Sequence, residues 1–187
     1  MAYIDVTQPE DATGKLKEIY EELAGSRGKI AEVHKIQSLN PPTIPAHMEL
    51  YKSVMFRKSP LSRAEREMMA VVASVTNGCE YCREHHLEAL KHFWSDEDAR
   101  AIAEGDFAHA EINELQHALC EYARALITSP SSESAGGAWT EKLRGLGADD
   151  CMILDATLVI SYFNFVNRMV LGLGVELEEN AGGYRYE

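Results

Sequence analysis

The sequence predicts an all-α fold, and three observations carry that reading. Apolar residues recur at spacings of three and four along most of the chain. Helix-opening Ser-x-x-Glu and Ser-x-x-Asp boxes stand at Ser62 and Ser95. No stretch shows the period-two alternation of a half-buried strand, and the one Asn-Gly pair, Asn77-Gly78, lacks strand-like flanks.

From the N-terminus, Gly14 to Ala24 carries Leu16, Ile19, Tyr20 and Leu23 on one face and reads as an amphipathic helix, closed by Gly25-Ser26-Arg27-Gly28. A helical stretch is expected from Ile30 to Leu39, stopped by Asn40-Pro41-Pro42. Pro45 suits the first turn of the next helix, which runs to Phe56. Ser62-Arg63-Ala64-Glu65 is a capping box in which each side chain satisfies a backbone N–H. It opens a helix from Arg63 to Thr76 whose Met68, Met69, Val71, Val72 and Val75 demand burial. Past the break at Asn77-Gly78, a helix is expected from Cys79 to Phe93. Ser95-Asp96-Glu97-Asp98 reads as a second capping box, on a short helix that ends at Gly105.

Ile112 to Thr128 is another amphipathic helix, and Ser129 to Gly137 is the obvious loop. Trp139 to Leu146 forms a short helix stopped by Gly147. The last helix begins at Asp149-Asp150, whose charges suit a helix N-terminus, and reaches Leu173. Thr157 to Val166 has the β-branched content of a strand, but its length and the continuing apolar pattern favour helix. The acidic tail from Glu178 reads as loose. A single all-helical domain over residues 1–187 is expected, with N-terminal helices in 1–60, a central group in 61–105 and C-terminal helices in 110–175.

Apolar residues make up 45% and charged residues 26%, an ordinary soluble composition. Thirty acidic against 18 basic side chains give a net charge of −12, which repels nucleic acid and anionic membrane alike. The most apolar stretch, Met152 to Val166, contains Asp155 and Asn164 and falls short of the ~20 apolar residues that cross a bilayer. Met1 to Val6 has neither a basic nor an apolar signal region, and four cysteines are too few for a disulfide framework. A reducing cytoplasm is the expected compartment, where a close cysteine pair points to metal binding or redox chemistry.

Such a pair stands within Glu67…Cys79-Glu80-Tyr81-Cys82…His86. On a helix, Cys79 and Cys82 are three apart and Cys82 and His86 four apart, so all three share a face. Cys79 falls in the first turn, where free N–H groups and the macrodipole favour a thiolate. If the two helices fold back at Asn77-Gly78, Glu67 comes level with His86 to within ~3 Å, at ~1.5 Å per residue, and can orient its imidazole. A carboxylate, an imidazole and two thiols in a line are the equipment of thiol redox catalysis.

Blander readings compete. The pair could be half a zinc site completed by His85, His86 or His92, although no second C-x-x-C exists and Cys120 and Cys151 stand alone. A c-type haem needs His where Arg83 stands, and a thioredoxin fold needs an absent βαβ pattern. Two reduced cysteines filling a core would leave the coincidence with Glu67 and His86 unexplained. No metal and no cofactor are expected. Trp94, Trp139 and Met68-Met69 read as core or subunit contacts.

The stretch Leu61-Ser62-Arg63-Ala64-Glu65-Arg66-Glu67…Asn77-Gly78-Cys79-Glu80-Tyr81-Cys82…His85-His86 closely resembles the alkylhydroperoxidase AhpD-like branch of the carboxymuconolactone decarboxylase family, and within it the uncharacterised peroxidase-related enzymes. The specific part covers residues 61–90; a weaker resemblance extends over most of the chain, including Ser161 to Arg168. It implies an AhpD-like helical bundle, with the C-x-x-C at the N-terminus of a central helix and assembly as a dimer, trimer or hexamer. It also implies thiol-dependent reduction of hydroperoxides, with Cys82 as the peroxidatic cysteine, Cys79 as its partner, and Glu67 and His86 as the proton relay. The reductant would be a dithiol of the dihydrolipoamide or thioredoxin kind. One departure stands out. AhpD has a histidine just before the second cysteine, and here that place is Tyr81, whose reference pKa of ~10 rules out a base at neutral pH but leaves a hydroxyl that can hydrogen-bond.

Asn164, Asn167 and Arg168 lie in the most apolar helix and need polar partners, either tying helices together or lining the redox pocket. His85, turned ~100° from His86, is expected on another face but stays a pocket candidate, as does Tyr81. The rivals to a peroxidase are a non-catalytic redox sensor or scaffold, and a decarboxylase-like enzyme, whose branch works without the cysteine pair.

Overall fold

Nine α-helices and no strand occur among residues 2–131 and 137–178, the part of the chain that the computed structural model describes. They are α1 (Gly14–Arg27), α2 (Glu32–Lys35), α3 (Thr43–Met55), α4 (Arg63–Thr76), α5 (Glu80–Leu90), α6 (Asp96–Ala103), α7 (Glu114–Thr128), α8 (Gly137–Gly145) and α9 (Asp150–Leu173), preceded by a 3₁₀ turn at Pro9–Asp11. The all-α expectation holds, including for 157–166, which lies wholly inside α9.

Helix α4 is the axis of the bundle. Every residue from Arg66 to Ser74 is buried, and α3, α5, α6, α7 and α9 pack around it. Its middle, Met68 to Ala73, is apolar all round and has to be enclosed in this way. Its start is fixed by the capping box: Ser62 Oγ accepts from the Glu65 N–H, and Glu65 accepts from the Ser62 N–H at 2.8 Å. Its end is a Schellman turn. The Gly78 N–H bonds the Val75 carbonyl at 3.0 Å and the Cys79 N–H bonds the Ser74 carbonyl at 2.8 Å. Gly78 takes the left-handed φ of +69° that this motif requires, which costs glycine nothing.

Several boundaries differ from the sequence reading for identifiable reasons. Helix α1 runs one turn past Ala24, because Gly28, at φ +82°, is the residue that ends it, and Arg27 is thereby buried. The stretch expected as one helix from Ile30 to Leu39 is helical only at α2. Its later N–H groups make i→i+3 bonds, and the Gln37 side chain goes instead to the Val33 carbonyl and His47. Cys79 is the N-cap of α5 rather than a member of its first turn. The box at Ser95 is half formed: Ser95 accepts from the Asp98 N–H, while the Asp98 carboxylate accepts from the Glu111 N–H at 2.7 Å. A capping box does form at Asn113, reciprocated by Gln116.

Helix α9, at 24 residues, is long and apolar enough by composition to cross a membrane, contrary to the expectation from Asp155 and Asn164. Its inner face, from Ile153 to Val170, packs against α3, α4, α7 and α8. Its outer face leaves Leu154, Leu158, Phe165 and Leu171 exposed. The middle of the expected loop at Ser129 to Gly137, and the tail beyond Glu178, lie outside the described residues. Glu178 itself is not loose: its carboxylate is bonded to His85, Tyr81 and the Glu32 N–H.

Candidate functional site

The α4–α5 hairpin places the reactive groups. Glu67, fully buried on α4, accepts a hydrogen bond from His86 Nδ1 on α5 at 2.6 Å and a second from the Arg63 guanidinium one turn earlier. Burial alone would raise the Glu67 pKa. The charge and hydrogen bond of His86, followed by those of Arg63, outweigh burial and hold it below the usual value. Arg63 is itself pinned, donating to the Met55 carbonyl at 3.0 Å and lying 3.7 Å over the Phe56 ring. The carboxylate therefore keeps the His86 proton on Nδ1, and the ring stands against Phe163 at 4.5 Å between centroids. Among the described residues, no hydrogen bond engages its Nε2.

Cys82 and His86 both line a small cavity of about 50 Å³, room for one or two water-sized groups. No direct bond joins them, so proton exchange between them runs through whatever occupies that space. Both cysteines are reduced and buried. The Cys82 thiol proton, directed at Cys79, lowers the Cys79 pKa, and the same contact, together with burial, raises that of Cys82 well above its ordinary value. Cys79, at the N-cap position of α5 where the helix field also favours a thiolate, is thus the more readily ionised of the pair. Access belongs to Cys82, the one of the pair that lines the cavity.

Asn167, fully buried on α9, faces both sulfurs and favours their ionised forms. Its amide is held by the Ser74 hydroxyl at 3.3 Å and by the Asn77 amide at 3.0 Å. Asn164 also bonds Asn77, at 3.2 Å, while Arg168 folds back onto Asn164 at the surface. Of these three candidates, Asn167 alone reaches the thiols. Asn164 ties helices together, and Arg168 stands away from the cavity.

His85, expected on another face, lines the same cavity. Glu178 draws it there: its carboxylate accepts from His85 Nε2 at 2.7 Å, from the Tyr81 hydroxyl at 3.0 Å and from the Glu32 N–H at 3.0 Å. Burial pushes the Glu178 pKa up, but the His85 and Glu32 bonds prevail and bring it down to about 2. Tyr81, where AhpD has histidine, also accepts from the Val33 N–H at 3.3 Å. Its hydroxyl joins the C-terminal segment to α2.

The cavity's far wall escaped the sequence reading altogether. Arg27, His34, His47 and Tyr162, from three helices and α2, complete it. Burial, with Arg27 next, lowers His47 to about 4, and burial followed by His47 and Arg27 drives His34 well below its ordinary value. Burial, then the nearby Cys82 charge, raises Tyr162 well above 10. His34 Nδ1 is buried without a hydrogen-bond partner, an arrangement that costs ~1–3 kcal/mol in a closed protein. These are lone residues far apart in sequence, and no spacing signals them. Arg63 escaped the sequence reading too, although its place four residues before Glu67 on the same helix signals the pair. Among the described residues, no cluster of three or more His, Cys, Asp or Glu is arranged to hold a metal ion.

Residues 41–125 match the model of the carboxymuconolactone decarboxylase family, a span that holds Glu67, Cys79, Cys82 and His86. No curated protein sequence matches the chain. Among solved structures, it is similar to an uncharacterized peroxidase-related protein from Silicibacter sp. TM1040, with TM-score 0.84 and 24% identity over 96% of this chain and 93% of that one. A second, the alkylhydroperoxidase AhpD core of an uncharacterized peroxidase-related protein from Ralstonia eutropha JMP134, gives TM-score 0.82 and 22% identity over 95% and 93%. The debrominase Bmp8 shares the fold at TM-score 0.75 and 20% identity over 93% and 91%. The chain thus carries a segment similar to the carboxymuconolactone decarboxylase family and shares the helical fold of the AhpD-like peroxidase-related structures.

Proposed function

We propose that this protein is a thiol-dependent hydroperoxide reductase, with Cys79 and Cys82 as a redox pair served by a Glu67–His86 proton relay. One observation carries the reading: a cavity-lining thiol shares its cavity with an imidazole whose Nδ1 is locked to a fully buried carboxylate. The peroxidase-related names of two structures sharing the fold support it.

The Cys82 proton passes to Cys79 or, through the cavity, to His86. The Cys82 sulfur attacks the terminal oxygen of R–O–OH, giving Cys82–SOH and, once the proton returns, ROH. Cys79 condenses with the sulfenic acid, forming the Cys79–Cys82 disulfide and water. A small or protein dithiol then reduces that disulfide by exchange, becoming a disulfide itself.

A panel of hydroperoxides with dihydrolipoamide, thioredoxin and glutathione as reductants tests this, with 2,3,4-tribromopyrrole added because a solved variant of Bmp8 is a complex with that compound. Sustained turnover of a hydroperoxide with a dithiol is expected. A single oxidation that then stops would make the protein a sensor, and turnover of the bromopyrrole alone would move its chemistry to dehalogenation. The exposed stripe of Leu154, Leu158, Phe165 and Leu171 fits a contact with a second copy of the chain, and light scattering at micromolar concentration should show a homo-oligomer.

A further inference from the structure

The wall facing Cys82 holds two hydrogen-bond donors with no acceptor among the described residues, and the bonding pattern shows why. Arg27 Nη1 lies 3.1 Å from His34 Nε2. A guanidinium only donates, so His34 presents its lone pair there and carries its proton on Nδ1. That Nδ1 is the buried atom without a partner, on a residue 3% exposed.

Tyr162 follows by the same logic. The Gln37 amide nitrogen donates to the Val33 carbonyl at 2.8 Å and, with its second hydrogen, to His47 Nδ1 at 2.9 Å. His47 must then carry its proton on Nε2, which donates to the Tyr162 oxygen at 2.6 Å. With its oxygen already accepting from His47, Tyr162 turns its own O–H elsewhere. Both residues line the cavity that Cys82 enters.

We infer that His34 and Tyr162 form a donor pair for the substrate's departing oxygen, the one that accumulates negative charge as the O–O bond breaks. This rests on the hydroperoxide reading above. The Cys82 sulfur forms a bond to the terminal, hydrogen-bearing oxygen. The O–O bond breaks with its electron pair on the other oxygen, so sulfur loses two electrons and the peroxide gains them. The departing alkoxide, or hydroxide from hydrogen peroxide, is held by His34 Nδ1–H and Tyr162 O–H until it takes up the proton that Cys82 gave up. Fixed donors aimed at developing charge in a closed site are an effective form of catalysis. The cavity's size suits the two oxygens of a hydroperoxide group.

The test uses the full-length reduced protein. Oxidation of Cys82 by hydrogen peroxide, tert-butyl hydroperoxide and cumene hydroperoxide is timed by mass spectrometry, alongside alkylation of Cys82 by iodoacetamide, whose departing iodide needs no such donors. Tyr162→Phe should slow the hydroperoxide reactions ~10²-fold, the scale set by removing one oxyanion donor, and leave alkylation unchanged. His34→Leu should behave alike, and His34→Gln, which keeps an N–H, should recover part of the rate. Unchanged hydroperoxide rates in Tyr162→Phe and His34→Leu would overturn the inference alone. So would equal losses in oxidation and alkylation, which would mean that the pair shapes the thiol rather than the departing oxygen. A wild-type protein inert to every hydroperoxide would overturn the proposed function and this inference with it.

Discussion

The His86 imidazole and the Glu67 carboxylate are joined at 2.6 Å, with Glu67 wholly shut off from solvent. A buried carboxylate is costly unless its oxygens are matched by donors, and here His86 takes one oxygen and Arg63 the other. The bond fixes which His86 nitrogen can exchange a proton with the cavity.

If the two act as one relay, Glu67→Gln and His86→Phe should each slow the reaction with peroxide by ~10²–10⁴-fold, and the double variant should lose little more than either. Stopped-flow oxidation at pH 7 decides it. An unchanged rate in Glu67→Gln would leave that carboxylate a structural residue.

Arg63 is the second support. Arg63→Met removes one partner of a fully buried charge and should destabilise the fold by ~3–5 kcal/mol, read from denaturant unfolding. A loss below ~1 kcal/mol, the surface-pair range, would show that His86 alone suffices to hold Glu67.

Much of this was legible in the sequence because it is local. The capping box at Ser62, the glycine turn at Gly78 and the spacing from Glu67 to His86 all act within one hairpin. What lay hidden depends on distant packing. His34, His47 and Tyr162 meet only because α2, α3 and α9 converge, and Glu178 looked like part of a solvated tail until Tyr81 and His85 supplied its partners. Cys79 was expected in the first turn; the Schellman bond to Ser74 places it one residue earlier, as the cap.

Acid stability should reflect two depressed groups. His47 titrates at about 4 when folded against 6.5 ordinarily, so the unfolded chain takes up its proton first. Stability is therefore full above about 6.5 and falls as pH drops through 4, by ~3–3.5 kcal/mol at ~1.4 kcal/mol per unit. Glu178 shifts the same way, from 4.5 to about 2, and its contribution fades across that lower window. Urea unfolding at a series of pH values checks both. His47→Gln should flatten the upper slope, although His34, lowered by the same burial, keeps some of it.

Mild oxidation should give an intramolecular disulfide between Cys79 and Cys82 while Cys120, fully buried in α7, stays reduced with Cys151. Burial holds the Cys120 thiol far above its ordinary pKa, so it offers little thiolate. Peptide mapping that found mainly Cys120–Cys151 linkage would count against the site.

The central claim is that Cys82 meets the oxidant although Cys79 is the more readily ionised of the two. Trapping with a sulfenic-acid probe after one equivalent of hydroperoxide, read by peptide mass spectrometry, tests it most directly. The account predicts a stable, labelled Cys82 in the Cys79→Ser variant and no label in Cys82→Ser. Labelling of Cys79 in Cys82→Ser, with Cys82 unlabelled in the reciprocal variant, would contradict it.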